Sequence, residues 1–263
     1  MTTTTTTKSP TIVLVHGAWH TPANYAPFIT DLESRGFNVH CPHLPSCTNT
    51  SPPPATYQDD VTTVRNLVTS LVNNGERVLM ILHSYGGAIG TDAAQGLDLP
   101  SRAAQNLPGG IIHLLYLCAY IQLPGRSVWD VITEAGLTGF WPQFVQDHAD
   151  GSTFPVDPVQ LFLGDCDESQ IAAARPHLVR SPLRAFHTPG SGDAWRRVPV
   201  TYVTTTKDYS VPRVYQDIML KHIAKEGVAV RVVEVDTAHS VFLSRRDDVM
   251  RLVDQAVRDE RNP

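Results

Sequence analysis

The sequence predicts one α/β domain, with a mainly parallel central sheet, helices on both of its faces and a lid inserted late in the chain. Three observations predict it. Short apolar runs alternate with longer amphipathic ones, the pattern of strands joined by crossover helices. The short runs are continuous and β-branched, as strands buried on both faces require. The chain has 263 residues, 42 % hydrophobic and 18 % charged, enough for one large buried core.

In chain order, strands are expected at Thr11 to Val15, Phe37 to His40, Val78 to Leu82, Ile111 to Leu117, Val200 to Val203 and Val228 to Val235. A first helix follows from Tyr25, Phe28, Ile29 and Leu32 at i, i+3, i+4 and i+7, opened by Thr21-Pro22 and stopped by Gly36. A second carries Val61, Val64, Val68, Leu71 and Val72 on one face, behind the capping-box pattern Thr56-Tyr57-Gln58-Asp59. Tyr215, Ile218, Met219 and His222 mark a third between Pro212 and Gly227, and Val249, Leu252, Val253 and Ala256 mark the last.

Residues 124–197 break the alternation. They hold several prolines, no clear strand and many aromatics, among them Trp129, Phe140, Trp141, Phe144, Phe154, Phe162 and Phe186. A structureless loop of that length is implausible in a compact domain, so short helices with turns are expected there, as a lid. The core is then 10–123 with 198–263, and the threonine-rich residues 1–9 form a disordered tail.

A net charge of -5 with no run of Lys or Arg argues against a nucleic-acid partner. Met1 to Lys8 does not read as a secretory signal, and no apolar stretch is long enough to span a bilayer, so no membrane partner and a cytoplasmic location are expected. Four cysteines, Cys41, Cys47, Cys118 and Cys166, read as reduced thiols and not as a disulfide framework. Cys41-Pro42-His43 with Cys47 is too irregular for zinc, and Asp165, Asp167 and Glu168 read as a solvated turn, so no metal is expected.

The segment Val78 to Ala88 runs from a buried strand through His83-Ser84-Tyr85 into Gly86-Gly87 and a helix. That is the context of a nucleophile elbow, which needs small residues around a strained serine. Ser84 could instead be an ordinary N-cap, but the strand–turn–helix setting favours the nucleophile. Leu82 is bulky where the usual pattern has glycine, so either the neighbouring helix leaves space or the elbow is opened. After the first strand, His16-Gly17-Ala18-Trp19-His20 offers an oxyanion hole from the backbone N–H groups of Ala18 and Tyr85, with His16 structural beneath the loop. In chain order the acid and base come next: Asp208 at one strand exit and His239 at the last. Asp236 and Glu234 are weaker rivals for the acid because they sit too near the strand. His83 reads as structural or pocket-lining.

Together, His16 to His20, His83 to Gly87, Lys207 to Pro212 and Ala238-His239 resemble the methylesterase and hydroxynitrile lyase branch of the α/β-hydrolases and its microbial relatives. The resemblance covers most of the chain outside the tail and much of the lid. It implies the α/β-hydrolase fold, a Ser84–Asp208–His239 triad, action on small esters and no cofactor. Relatives of this kind are commonly homodimers, and some microbial ones serve secondary metabolism on polyketide-like esters or lactones. Cyanohydrin-cleaving members carry lysine directly after the catalytic histidine, whereas Ser240 stands there in this sequence. The expected function is therefore a serine hydrolase, an esterase or lactonase, acting on a small apolar substrate through an acyl-enzyme. Trp19, His20, Trp129, Phe140, Trp141 and Phe144 are the expected pocket residues. The alternatives are carbon–carbon cleavage or elimination on the same triad, and a ligand-binding protein derived from a hydrolase.

Overall fold

Strand β1 (Thr11–Val15) forms where five β-branched or aliphatic residues run together, and all five are buried. The computed structural model describes residues 9–261, so the expected tail lies outside the described residues except for Ser9. Six strands make the main sheet: β1, β2 (Val39–His40), β3 (Arg77–His83), β4 (Gly110–Leu117), β8 (Val200–Thr205) and β9 (Val230–Val235). Their order is β2-β1-β3-β4-β8-β9, and every pair is parallel. The expected second strand shrinks to two residues.

Helix α1 (Ala26–Ser34) buries Phe28 and Leu32 on the sheet, behind a short 3-10 turn at Pro22–Tyr25. Helix α2 (Tyr57–Asn73) starts on the expected capping box, with the Asp59 amide donating to the Thr56 hydroxyl and the Thr56 amide to the Asp59 carboxylate. Its Val61, Val64, Val68 and Val72 stripe faces the core. Then come α3 (Gly86–Ala93), α4 (Leu99–Ala103), and, after the insertion, α10 (Arg213–Lys225), α11 (Val241–Ser244) and α12 (Arg246–Arg261).

The segment between β4 and β8 holds the expected short helices: α5 (Val128–Glu134), α6 (Trp141–Phe144), α7 (Pro158–Phe162), α8 (Glu168–Ala174) and α9 (Leu183–His187). It also holds an unexpected three-stranded antiparallel sheet of β5 (Val145–Asp147), β6 (Ser152–Pro155) and β7 (Ser181–Pro182). The inserted segment, expected to form a lid of short helices, is thus not purely helical. Strands of two to four residues offer too few positions for a period of two to register in the sequence.

The chain leaves β1 for β2 on one side of the sheet and returns to β3 on the other. The carboxyl ends of β1 and β3 therefore form a topological switch point, where open α/β sheets bind their ligands.

Candidate active site

Ser84 lies at that switch point, directly after β3, with φ at 55°, a left-handed conformation that a serine adopts only under constraint. Its amide donates to Leu117 O (3.2 Å), and its carbonyl accepts from the amides of Gly87 and Tyr120, both at 3.0 Å. The turn is pressed against its neighbours. A Cβ on Gly86 would fall 2.3 Å from Val15 O, and one on Gly87 would fall 2.4 Å from Tyr120 O. Leu82, the departure from the usual elbow, is accommodated by the next helix. A Cβ on Gly90 in α3 would lie 2.2 Å from Leu82 Cδ2, so the side chain fills the space that Gly90 leaves. The glycine has moved from strand to helix, and the elbow stays closed.

The β1 exit faces this turn. Among the described residues neither the Ala18 nor the Tyr85 amide donates to a protein acceptor, so both remain free for an oxyanion. The Gly17 amide donates to Tyr25 Oη (3.0 Å), and Tyr25 Oη lies 2.6 Å from His83 Nδ1. His83 Nε2 in turn lies 3.1 Å from the His239 carbonyl. Carbonyls only accept, so His83 carries its proton on Nε2 and accepts a hydrogen bond from the Tyr25 hydroxyl at Nδ1. Burial and the neighbouring imidazoles of His239 and His20 push its pKa well below the usual range, which keeps it neutral. One chain of hydrogen bonds thus ties the oxyanion loop, the elbow and the His239 loop together. His16 is structural as expected: Nδ1 donates to Gly17 O (2.8 Å) while Nε2 accepts the Leu44 amide (3.0 Å).

Asp208 and His239 meet above the sheet edge. His239 Nδ1 is 2.8 Å from Asp208 Oδ2, and both side chains are fully buried. Asp208 Oδ2 also accepts from Thr205 Oγ1 (2.9 Å), and Oδ1 accepts the amides of Ser210 and Val211, both at 2.8 Å. The rivals are engaged at the surface: Asp236 pairs with Lys207 and Thr206, and Glu234 with Arg213. His239 Nε2 is buried and has no hydrogen-bond partner among the described residues. No hydrogen bond joins it to Ser84 Oγ in this structure, as is common before substrate draws catalytic groups together. The His239 loop is held by Asp165 of the lid, which accepts from Thr237 Oγ1 (2.5 Å) and the Ala238 amide (3.0 Å). Asp165 is therefore an anchor and not part of a solvated turn, and Asp167 caps α8.

Two metal-like groupings dissolve on inspection of their bonds. His43 Nε2 lies 2.7 Å from the carbonyl oxygen of Cys47, whose thiol packs near Ser181. His83, Cys118 and His239 bring ligand atoms within 4.8 Å of one another, but His83 Nε2 and His239 Nδ1 are committed to the bonds just described.

Ser84 opens into a cavity of about 270 Å³ lined by Ala18, Trp19, Tyr85 and Tyr120 on the core side, by Val128, Ile132, Leu137, Phe140, Trp141, Phe144, Val145, Leu161 and Phe186 from the lid, and by Tyr209, Ser210, Pro212 and Tyr215. No Asp, Glu, Lys, Arg or His lines it. Trp19, Phe140, Trp141 and Phe144 stand where expected. Two expected pocket residues do not. His20 turns inward to donate to Ala18 O (2.7 Å) and packs edge-on against Phe162, and Trp129 sits one layer behind Trp141, against His187. Trp19, with φ at 62°, joins core to lid: its indole donates to Thr153 Oγ1 (3.0 Å), its carbonyl accepts from Val179 (2.8 Å), and its ring packs on Phe186.

A family model described as the alpha/beta hydrolase family matches residues 12–252. The chain belongs to that family. Among known proteins, this hydrolase is similar to the alpha/beta hydrolase nvfD of Aspergillus novofumigatus, 29 % identical across 94 % of this chain and 96 % of the relative. It is also similar to methylesterase 18 of Arabidopsis thaliana, 24 % identical across 93 % and 95 % of the two chains. The crystal structure of a pyrethroid hydrolase from Sphingobium faniae superposes with a TM-score of 0.68 at 21 % identity, covering 97 % of this chain and 98 % of that one, a likeness of fold.

Several residues that line the cavity of this hydrolase lie outside the expected pocket set. Phe186 belongs to the aromatic-rich insertion, and its composition alone does not distinguish it from the aromatics that stand behind the cavity. Tyr120, Tyr209, Ser210 and Tyr215 flank the elbow and acid loops, and their proximity to Ser84 and Asp208 was the available clue.

Proposed function

We propose that this protein is a serine hydrolase that cleaves a neutral, apolar carboxylic ester or lactone through an acyl-enzyme on Ser84. The observation that carries the reading is His239: Nδ1 is fixed on the Asp208 carboxylate while the buried Nε2 is left without a partner among the described residues. With Nδ1 protonated, Nε2 is the imidazole's basic nitrogen. It takes the Ser84 proton as Oγ attacks the carbonyl carbon. The developing oxyanion is received by the amides of Ala18 and Tyr85 at the head of α3. His239 then returns the proton to the departing alkoxide, and water, deprotonated in the same way, releases the acid and restores Ser84.

The cavity favours substrates without charge. Placing an ion in a lining with no charged side chain would forfeit its hydration for no partner. The names of the similar proteins, a methylesterase and a pyrethroid hydrolase, agree with an ester-acting enzyme.

An acyl-enzyme gives a kinetic signature. Mixing with p-nitrophenyl acetate should release a burst of nitrophenolate near one equivalent per protein, followed by slower turnover. The burst should vanish in Ser84→Ala. A burst of undiminished size in that variant would overturn the assignment of the nucleophile.

A further inference from the structure

Buried tyrosines normally find a partner for the hydroxyl, because an unpaired polar atom out of water is costly. In this protein they do so nearly everywhere. Tyr25 bonds His83, Tyr57 bonds Asp92, Tyr85 bonds Asp60, Tyr116 bonds Thr91 and Tyr202 bonds Ala119 O. Tyr120 and Tyr215 are the exceptions. They are 5 % and 7 % exposed, and neither hydroxyl has a hydrogen-bond partner among the described residues. Neither oxygen is sealed within protein, and both residues line the cavity at Ser84.

Their positions are fixed by the catalytic backbone. The Tyr120 amide donates to the carbonyl of Ser84 (3.0 Å), and Tyr215 opens α10 just beyond the Asp208 loop. Both residues face the same cavity, and burial holds the Tyr120 phenol well above its ordinary pKa, which keeps it a protonated donor. Of the other lining hydroxyls, that of Tyr85 is bonded to Asp60 and that of Tyr209 belongs to an exposed residue, and apart from Ser84 and Ser210 the remaining wall is apolar. Two donors grouped in an apolar, uncharged cavity call for an acceptor that the protein does not supply.

We propose that the Tyr120 and Tyr215 hydroxyls form a polar subsite beside Ser84 that donates hydrogen bonds to a second, neutral oxygen of the substrate. The preferred substrate is then an apolar ester or lactone carrying a ketone, ether or hydroxyl oxygen near the scissile carbonyl. A carboxylate fits poorly, since no cation lines the site. This deepens the hydrolase reading and rests on it.

The test compares matched methyl esters of one straight-chain acid, with and without a single ketone oxygen placed at successive carbons beyond the ester. At one position the ketone should raise kcat/KM, and Tyr120→Phe or Tyr215→Phe should each reduce that preference by about three- to tenfold, the worth of one hydrogen bond. Because neither hydroxyl supports a protein contact, both variants should melt at the wild-type temperature. A hydroxyl with only a structural role would instead lower the melting point and leave the preference intact. Binding to Ser84→Ala, read by quenching of Trp19 and Trp141 fluorescence, separates the two claims. Ketone-selective binding that the Phe variants lose, without turnover by the wild type, would sink the hydrolase reading and keep the subsite. Hydrolysis with no ketone preference at any position, or a preference unmoved by both Phe variants, would overturn the subsite.

Discussion

Asp208→Asn should lower kcat by about 10³–10⁴-fold while leaving a folded protein, because it attacks the tautomer of His239 and not the nucleophile. Asp208 presents acceptors on both sides: Oδ2 to His239 Nδ1 and Thr205, Oδ1 to the amides of Ser210 and Val211. An asparagine has only one acceptor oxygen. If its oxygen stays with the two amides, its NH₂ faces His239 Nδ1 and drives the ring proton onto Nε2, where it can no longer take the serine proton. If the amide flips, two backbone donors meet a donor, at about 1–3 kcal/mol. The first arrangement costs rate and the second costs stability. Steady-state kinetics together with a melting curve checks both, and a kcat within tenfold of wild type would contradict the orienting role.

Acid should unfold this protein unusually steeply between about pH 6 and pH 4. Four histidines are held neutral in the core: His16 with its pKa lowered to about 4, His20 to about 3, His83 well below its ordinary 6.5 and His113 to about 4, each mainly by burial. As pH falls through 6.5 the unfolded chain binds protons that the folded chain refuses. Stability that is fully present above 6.5 is therefore lost toward the folded values, by about 1.4 kcal/mol per pH unit for each proton. Asp60 works in the opposite direction. Buried beneath Ser46 and Tyr85, its carboxyl is pushed up to about 6, so the folded state takes that proton first and recovers one of the four. Near three net protons, or about 4 kcal/mol per pH unit in mid-window, is large against a typical total of about 5–15 kcal/mol. The urea midpoint at pH 7.5, 6 and 5, the values chosen for this test, should fall with increasing steepness. A flat profile to pH 5 would contradict the buried neutral histidines.

The sheet and the chemistry were legible in the sequence because both impose local demands. A strand buried on both faces must be a continuous apolar run, and a serine in a left-handed turn must be followed by small residues, which Gly86 and Gly87 are. Asp208 could be singled out because it follows the buried strand β8, and His239 because it follows the last strand, β9, an edge strand of which only Val235 is buried. The anomaly at Leu82 had its answer eight residues on, in Gly90, but only the packing of helix on strand connects them. The lid was less legible. Its sheet is built from fragments too short to show a period, and its aromatics look alike whether they face the cavity, as Trp141 does, or stand behind it, as Trp129 does. His20 shares a loop with Trp19 yet turns the other way, toward Ala18 O. Asp165 gained its meaning from a loop more than seventy residues away. Side-chain direction on irregular backbone is set by distant partners, and that information is not local.

Labelling with a fluorophosphonate followed by peptide mass spectrometry tests the central claim most directly. One adduct is expected, on the peptide containing Ser84, with catalytic activity lost in step and no labelling of Ser84→Ala. Stoichiometric modification of some other residue, or full activity with Ser84 phosphonylated, would contradict an enzyme built around that serine and the imidazole of His239.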